Sequence, residues 1–340
     1  MQGAGRKWLV LGVSLAVSLG AIWLIFRDVD LAELGRQVEQ ADLRYIGLLM
    51  VLYPLAMVSR TVRFMRLLAE PVAFWRAFHI INIGYFFNAT MPARLGEVAR
   101  VVLVSREPGQ TMGAGLSAAS VDRLFDLIMA LVCVGLGLVL LPQSEALPAQ
   151  TRDTIGVLIL AVLAAGVVVL FSPALHPLAM RLARLVVKPL PKRLAQVILT
   201  FASDTLDAMR AIAQPQRLLM VLGWTLTTWV VYVLYFYIGL YAFFEPPLAL
   251  GLGFLITGFV AIGAAAPSLP GAVGVFQAAA VLALRTAGYA TAPATGFAWL
   301  LWIFQIVVVI IAGVIGLSAL SLRLGQLTKD IRQTSNEALH

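Results

Sequence analysis

Apolar residues fall along this chain in long unbroken runs, at 8–26, 43–59, 111–141, 155–171, 218–244 and 295–322. Each is close to the roughly 20 apolar residues that a helix needs to cross a bilayer. The runs do not alternate with period two. Backbone groups in lipid must be satisfied internally, so such runs predict helices rather than barrel strands. Two further pairs of apolar arms are short and interrupted. Residues 77–87 lead into the polar stretch 88–100 and then Val101-Val102-Leu103-Val104, and arms 248–266 and 273–284 flank a turn at 267–274. Prolines and glycines break the helix at both places. The pattern predicts an all-α polytopic membrane protein. It has about six crossing helices plus two re-entrant helical hairpins in inverted arrangement, with amphipathic cytoplasmic helices. Hairpins that cross fully would give ten spans with the same termini. Interrupted segments in corresponding places of two halves point to an inverted-repeat transporter with its site near the midplane.

Polar positions orient the runs. The stretch 27–44 is acidic on balance, which suits the outside. Arg60, Arg63 and Arg66 recur at helical spacing beyond the second run and read as an interfacial amphipathic segment touching anionic headgroups. Residues 172–217 carry Arg181, Arg184, Lys188, Lys192, Arg193, Arg210 and Arg217 against Asp204 and Asp207. That excess marks a cytoplasmic face and places both termini in the cytoplasm. Tyr232, Tyr235, Phe236, Tyr237 and Tyr241 suit an aromatic interface belt. Residues 1–322 form one transmembrane domain, and 323–340 are expected to be a mobile polar cytoplasmic tail.

Composition agrees with a membrane location: of 340 residues, 61% are hydrophobic and only 12% charged, where a soluble domain carries about 25%. The formal charge of +8 lies beside apolar runs rather than on a soluble face, which argues against nucleic acid as a partner. The single cysteine, Cys133, excludes an intrachain disulfide and a cysteine metal cluster, and His79, His176 and His340 are too scattered for a metal site. No phosphate-binding G-x-x-x-x-G-K-[ST] motif occurs, so no cofactor or nucleotide drive is expected.

The chemistry concentrates in three stretches. In the first, Asn88 and Pro92 end one arm, Arg94 can hold a phosphate bidentately, Gly96 allows close backbone approach, and Glu97 can pair with Arg94 or Arg100 or take a lipid amine. In the second, Asp122 and Asp126 share one helix face and Arg123 can neutralise Asp126. The pair could cradle a cationic headgroup, relay protons, or brace the hairpin through Arg94 or Arg100. In the third, Pro267, Ser268, Pro270, Gly271 and Gly274 break the helix. They leave N–H groups for a phosphate or form a tight packing corner, and Gln277 follows as a hydrogen-bonding group. Charges at membrane depth cost about 2.5 to 3.5 kcal/mol each, so their grouping calls for a use or for mutual pairing.

Asn88-x-x-x-Pro92-x-Arg94-x-Gly96-Glu97-x-x-Arg100, Asp122-Arg123-x-x-Asp126 and Pro267-Ser268-x-Pro270-Gly271-x-x-Gly274-x-Phe276-Gln277 occur in this order. Together they resemble the lysylphosphatidylglycerol synthase transmembrane-domain family, the flippase-like membrane module of the multiple peptide resistance factor proteins. The resemblance spans nearly the whole chain, with Asp122 and Gln277 standing where the family usually or often has Glu. It implies lipid translocation in a bacterial or archaeal cytoplasmic membrane. Substrate-binding roles are expected for Asn88, Arg94, Glu97, Arg100, Asp122, Arg123, Asp126, Ser268 and Gln277, on hairpins formed by Pro92, Gly96, Pro267, Pro270, Gly271 and Gly274. The partner is a membrane lipid, with a phosphate-containing headgroup; the oligomeric state stays open. Nothing after Leu322 is long enough to fold as an aminoacyl-transferase domain, so a non-enzymatic role is expected. The alternatives are a membrane-embedded transferase acting on a lipid-linked substrate and a transporter of a soluble substrate.

Overall fold

The structure, a computed structural model, describes residues 41–68, 70–91, 95–141, 153–161, 176–188, 215–265 and 269–322, with isolated residues beside them. Among these there are helices and no strands. The helices that build the fold are α1 Leu43–Leu67, α2 Phe74–Thr90, α3 Leu95–Val104, α4 Met112–Leu140, α5 His176–Val187, α6 Pro215–Leu240, α7 Leu250–Ala265, α8 Val275–Thr286 and α9 Thr291–Ala319, with residues 153–161 also helical; a 3-10 turn, Pro270–Ala272, precedes α8. Four of them (α1, α4, α6 and α9) are long and apolar enough to cross a membrane. The expected spans at 8–26 and most of 155–171, the tail beyond 328, and the turn residues Pro92, Arg94, Pro267 and Ser268 lie outside the described residues.

The packing pattern maps onto itself when α1 is exchanged with α6, α2 with α7, α3 with α8 and α4 with α9. Helix α4 packs on α7 as α9 packs on α2; α3 lies between α2 and α4 as α8 lies between α7 and α9; α1 packs on α6. Helix lengths follow: 25 and 26 residues, 17 and 16, 10 and 12, 29 and 29. Directions oppose. Tyr53 meets Tyr235 while Ser59 meets Thr228, so α1 and α6 run antiparallel. The two halves are therefore related as an inverted pair.

Small residues set the close helix crossings, as they do where lipid removes the hydrophobic drive for association. A Cβ on Gly137 would lie 2.6 Å from the Leu255 backbone nitrogen, and one on Gly258 would lie 2.7 Å from the Ala130 carbonyl, so α4 and α7 touch backbone to backbone. Gly313 and Gly316 play the equivalent part on α9, receiving Phe86 and Ile83 of α2.

Each hairpin is clipped shut. In the first, Asn88 Oδ1 accepts from Gly96 N at 2.9 Å, and a Cβ on Gly96 would collide with the Gly84 carbonyl and the Asn88 side chain. At its open end Arg76 Nε and Nη2 donate to the two Glu107 carboxylate oxygens, each at 2.7 Å. In the second, Gly271 and Gly274 take positive φ of 69° and 82°, a conformation glycine enters without a Cβ clash. Gln277 Oε1 accepts from Gly274 N at 2.7 Å and so caps its own helix.

Arg60 and Arg63 differ from the sequence expectation. Helix α1 continues unbroken through Leu67 and turns both side chains inward, leaving only Arg66 exposed. The carboxylates of α4 draw them away from the headgroup layer. Tyr235, expected in an interface belt, is likewise fully buried against Tyr53 and Phe304.

Gly137→Val, which must overlap the α7 backbone, is expected to cost about 1 to 3 kcal/mol by overpacking. Gly223→Ala, with nothing within 4 Å of its Cβ, should leave stability unchanged or raised. Thermal unfolding of the two variants in detergent checks the contrast.

Candidate functional site

Among the described residues, seven ionised side chains from three helices gather within the first half. Asp122 and Asp126 project from one face of α4, four residues apart, and Asp126 stands at the midpoint of that 29-residue helix. Arg60 and Arg63, three apart on α1, meet them from one side; Glu97 and Arg100, three apart on α3, close the other. Arg63 Nη2 lies 2.6 Å from Asp122 Oδ1 and 2.8 Å from Asp126 Oδ1. Arg60 pairs with Asp126 and lies 3.4 Å from Asp122 Oδ2, and Arg100 Nη1 lies 3.2 Å from the same oxygen. Glu97 takes Arg100 on Oε2 and Arg123 on Oε1. Arg123 Nη1 is also 3.5 Å from Asp126 Oδ2.

The cluster grades from sealed to open. The side chains of Asp122 and Arg63 are 0% exposed, whereas Glu97 is 28% and Arg123 38% exposed. Rings shield the buried guanidiniums: Arg60 stacks over Tyr85 at 5.3 Å and Arg100 over Phe64 at 4.9 Å. Among the described residues of this cluster four guanidiniums face three carboxylates, a surplus of one positive charge. Several N–H donors in it have no acceptor: Arg60 Nε, Arg63 Nε and Nη1, and Arg123 Nε. A buried donor left unpaired costs about 1 to 3 kcal/mol, which an acceptor would recover.

A cavity of about 280 Å³ opens beside this cluster. Its polar side is formed by Arg60, Asn88, Glu97 and Arg123, and Tyr85 adds a buried hydroxyl with no partner. The rest of its lining includes Tyr232, Phe236, Phe276, Trp302 and Gln305, all neutral, and the Tyr232 hydroxyl accepts from Arg60 Nη1 at 3.5 Å. Both hairpin tips reach it, the first through Ala89 and Met91 and the second through Leu269, Gly271 and Ala272. The tips touch: a Cβ on Gly271 would lie 3.6 Å from the Ala89 carbonyl, and Trp302 Nε1 holds the Gly271 carbonyl at 2.7 Å.

Of the residues singled out from the sequence, Asn88, Glu97 and Arg123 line the cavity, with Arg100, Asp122 and Asp126 packed behind them. Gln277 is fully buried in its capping role and does not reach the cavity. Arg94 and Ser268 lie outside the described residues. Arg60 and Arg63 were missed. Their spacing of three puts them on one helix face but does not say whether that face meets headgroups or the carboxylates of α4. Among the described residues no group of three or more His, Cys, Asp and Glu is placed to hold a metal ion.

Asp122→Ala strips the compensating charge from three guanidiniums and is expected to cost about 3 to 5 kcal/mol. Replacing Arg63 and Asp122 together by Met and Leu should recover much of that loss, a coupling readable by a double-mutant cycle of unfolding in detergent.

Comparison with known families places this geometry. A family model described as "Lysylphosphatidylglycerol synthase TM region" matches residues 11–313, and the chain belongs to that family, a membrane module linked to lipid modification and translocation. The apolar helices and the family together make it a multi-pass membrane protein. No curated protein and no solved structure matches the chain.

Proposed function

With family membership as the premise, we propose that this chain carries a phospholipid or glycolipid headgroup between the two leaflets, by flipping or scrambling, through the groove where its hairpin tips meet. The observation that carries this reading is the cavity itself. It lies between two broken helices of an inverted pair, beside a charged cluster at mid-helix depth, with unpaired donors on its lining residues. Arg123, whose side chain is 38% exposed and lines the cavity, presents a guanidinium fork that suits phosphate oxygens. Acyl chains stay in the bilayer while the headgroup passes the tips.

In this reading the hairpins are re-entrant and enter from opposite faces, and the site sits where inverted-repeat transporters hold their substrates. The basic excess at 172–217 supports cytoplasmic termini in a bacterial or archaeal inner membrane. Transport is downhill or ion-coupled. General acid–base work at this site has little support, because each of the three carboxylates is engaged by two or more guanidiniums.

The full chain reconstituted in vesicles with a fluorescent phospholipid should speed its exchange between leaflets over protein-free vesicles. Arg123→Gln, a partly exposed position, should slow that exchange about tenfold, the equivalent of one charge-assisted contact, while the folded yield is kept. An unaltered rate in this variant would remove the site assignment, and covalent change of the lipid would replace transport with a transferase.

A further inference from the structure

The two hairpin tips touch, but they are held in different ways. The first is tied by charge. On α3, Arg100 binds Asp122 and Glu97 binds Arg123, so the arm beyond the tip is fixed to α4. Asn88 clips the same arm to α2 through Gly96 N, and Arg76 with Glu107 closes the hairpin at its other end. The ions near the tip lie at membrane depth, where a broken pair leaves a bare charge that lipid cannot answer. Moving this tip means breaking several such pairs at once.

The second hairpin has no comparable tie. Between Glu245 and Arg285 the sequence holds no charged residue, and Arg285 stands at the far end of α8, away from the tip. Arm α7 is anchored by the backbone contacts of Gly251 and Gly258 with α4. The other arm starts from a turn of unusual backbone: Gly271, Ala272 and Gly274 take φ of 69°, 53° and 82°. For Ala272, which carries a Cβ, that is a strained conformation, and it persists only where its surroundings hold it. Gln277 caps the start of its own helix and gives no hold on a neighbour. A polar hold on the turn comes from α9, where Trp302 Nε1 donates to the Gly271 carbonyl at 2.7 Å, and Ile306 packs against Gly271 one turn further along. A neutral hydrogen bond contributes far less than the ion network that fixes the first tip.

We infer that the groove opens on one side: the second tip, with the start of α8, swings away while the first stays fixed, and Trp302 is the latch that keeps it shut. The inference rests on the translocation reading for why the tips part, but concerns which of them moves and what restrains it.

Distances within the purified full chain test this without reference to transport. With Cys133 replaced by Ala, spin labels are paired as Thr90→Cys with Leu140→Cys and as Val273→Cys with Leu140→Cys. Leu140 is exposed at the end of α4, and neither tip position lines the cavity. Double electron–electron resonance in vesicles should give a narrow distribution for the first pair and a broad one, with a longer minor population, for the second. Trp302→Phe, which keeps a ring and removes the N–H, should enlarge that longer population about fivefold, the size expected for loss of one hydrogen bond, and leave the first pair unchanged. A first pair as broad as the second, readable whether or not the Trp302 variant folds, would overturn the one-sided opening. An unchanged second pair in folded Trp302→Phe would overturn the latch. The expected distances with no accelerated lipid exchange by the unaltered chain would overturn translocation and leave the gate. Accelerated exchange with both pairs narrow would overturn the gate and leave translocation standing.

Discussion

Charge compensation at membrane depth is the constraint from which the rest of this structure follows. Asp122 is wholly buried in the middle of an apolar helix and survives there because Arg60, Arg63 and Arg100 surround it. Those three arginines come from α1 and α3, so the ion network fixes the mutual placement of α1, α3 and α4. Taking one member away leaves a bare ion where neither water nor lipid can answer it. The network is therefore both a brace and a source of field: among the described residues three carboxylates do not cancel four guanidiniums.

Packing brings that field to a useful place. Glycine contacts draw α4 onto α7 and α9 onto α2, which locks the two inverted halves across each other. The hairpin tips then meet over the cavity, where Trp302 holds Gly271 beside Ala89. One half brings ions and the other brings rings and amides. In the proposed function, a headgroup is held by its phosphate against the ionic half while the other half lines the rest of the cavity.

Much of this was legible in the sequence, and the part that was not has a common cause. The helical runs, the two proline- and glycine-broken tips and the one-face carboxylates of α4 follow from spacing alone, and Asp122, Asp126, Glu97 and Arg100 all join the cluster. Arg60 and Arg63 were not legible as buried groups. Their partners lie 59 to 66 residues away, and arginines at the end of an apolar run ordinarily read as interface anchors. Tyr235 failed as a belt residue for the same reason, since its neighbours come from distant helices. Gln277 shows the opposite case. A Gln at the third helical position after a glycine turn has the local form of a cap, and a local contact, rather than a ligand, is what it makes.

In the proposed function the headgroup passes the touching hairpin tips, which must part to admit it, and holding them together tests this directly. With Cys133 replaced by Ala, new cysteines at Ala89 and Ala272, one from each tip, can be joined by a short reducible bifunctional reagent. The account predicts that lipid exchange in reconstituted vesicles falls to the protein-free rate when the tips are joined and returns on reduction. Exchange that continues at the unlinked rate through fully joined tips would contradict it.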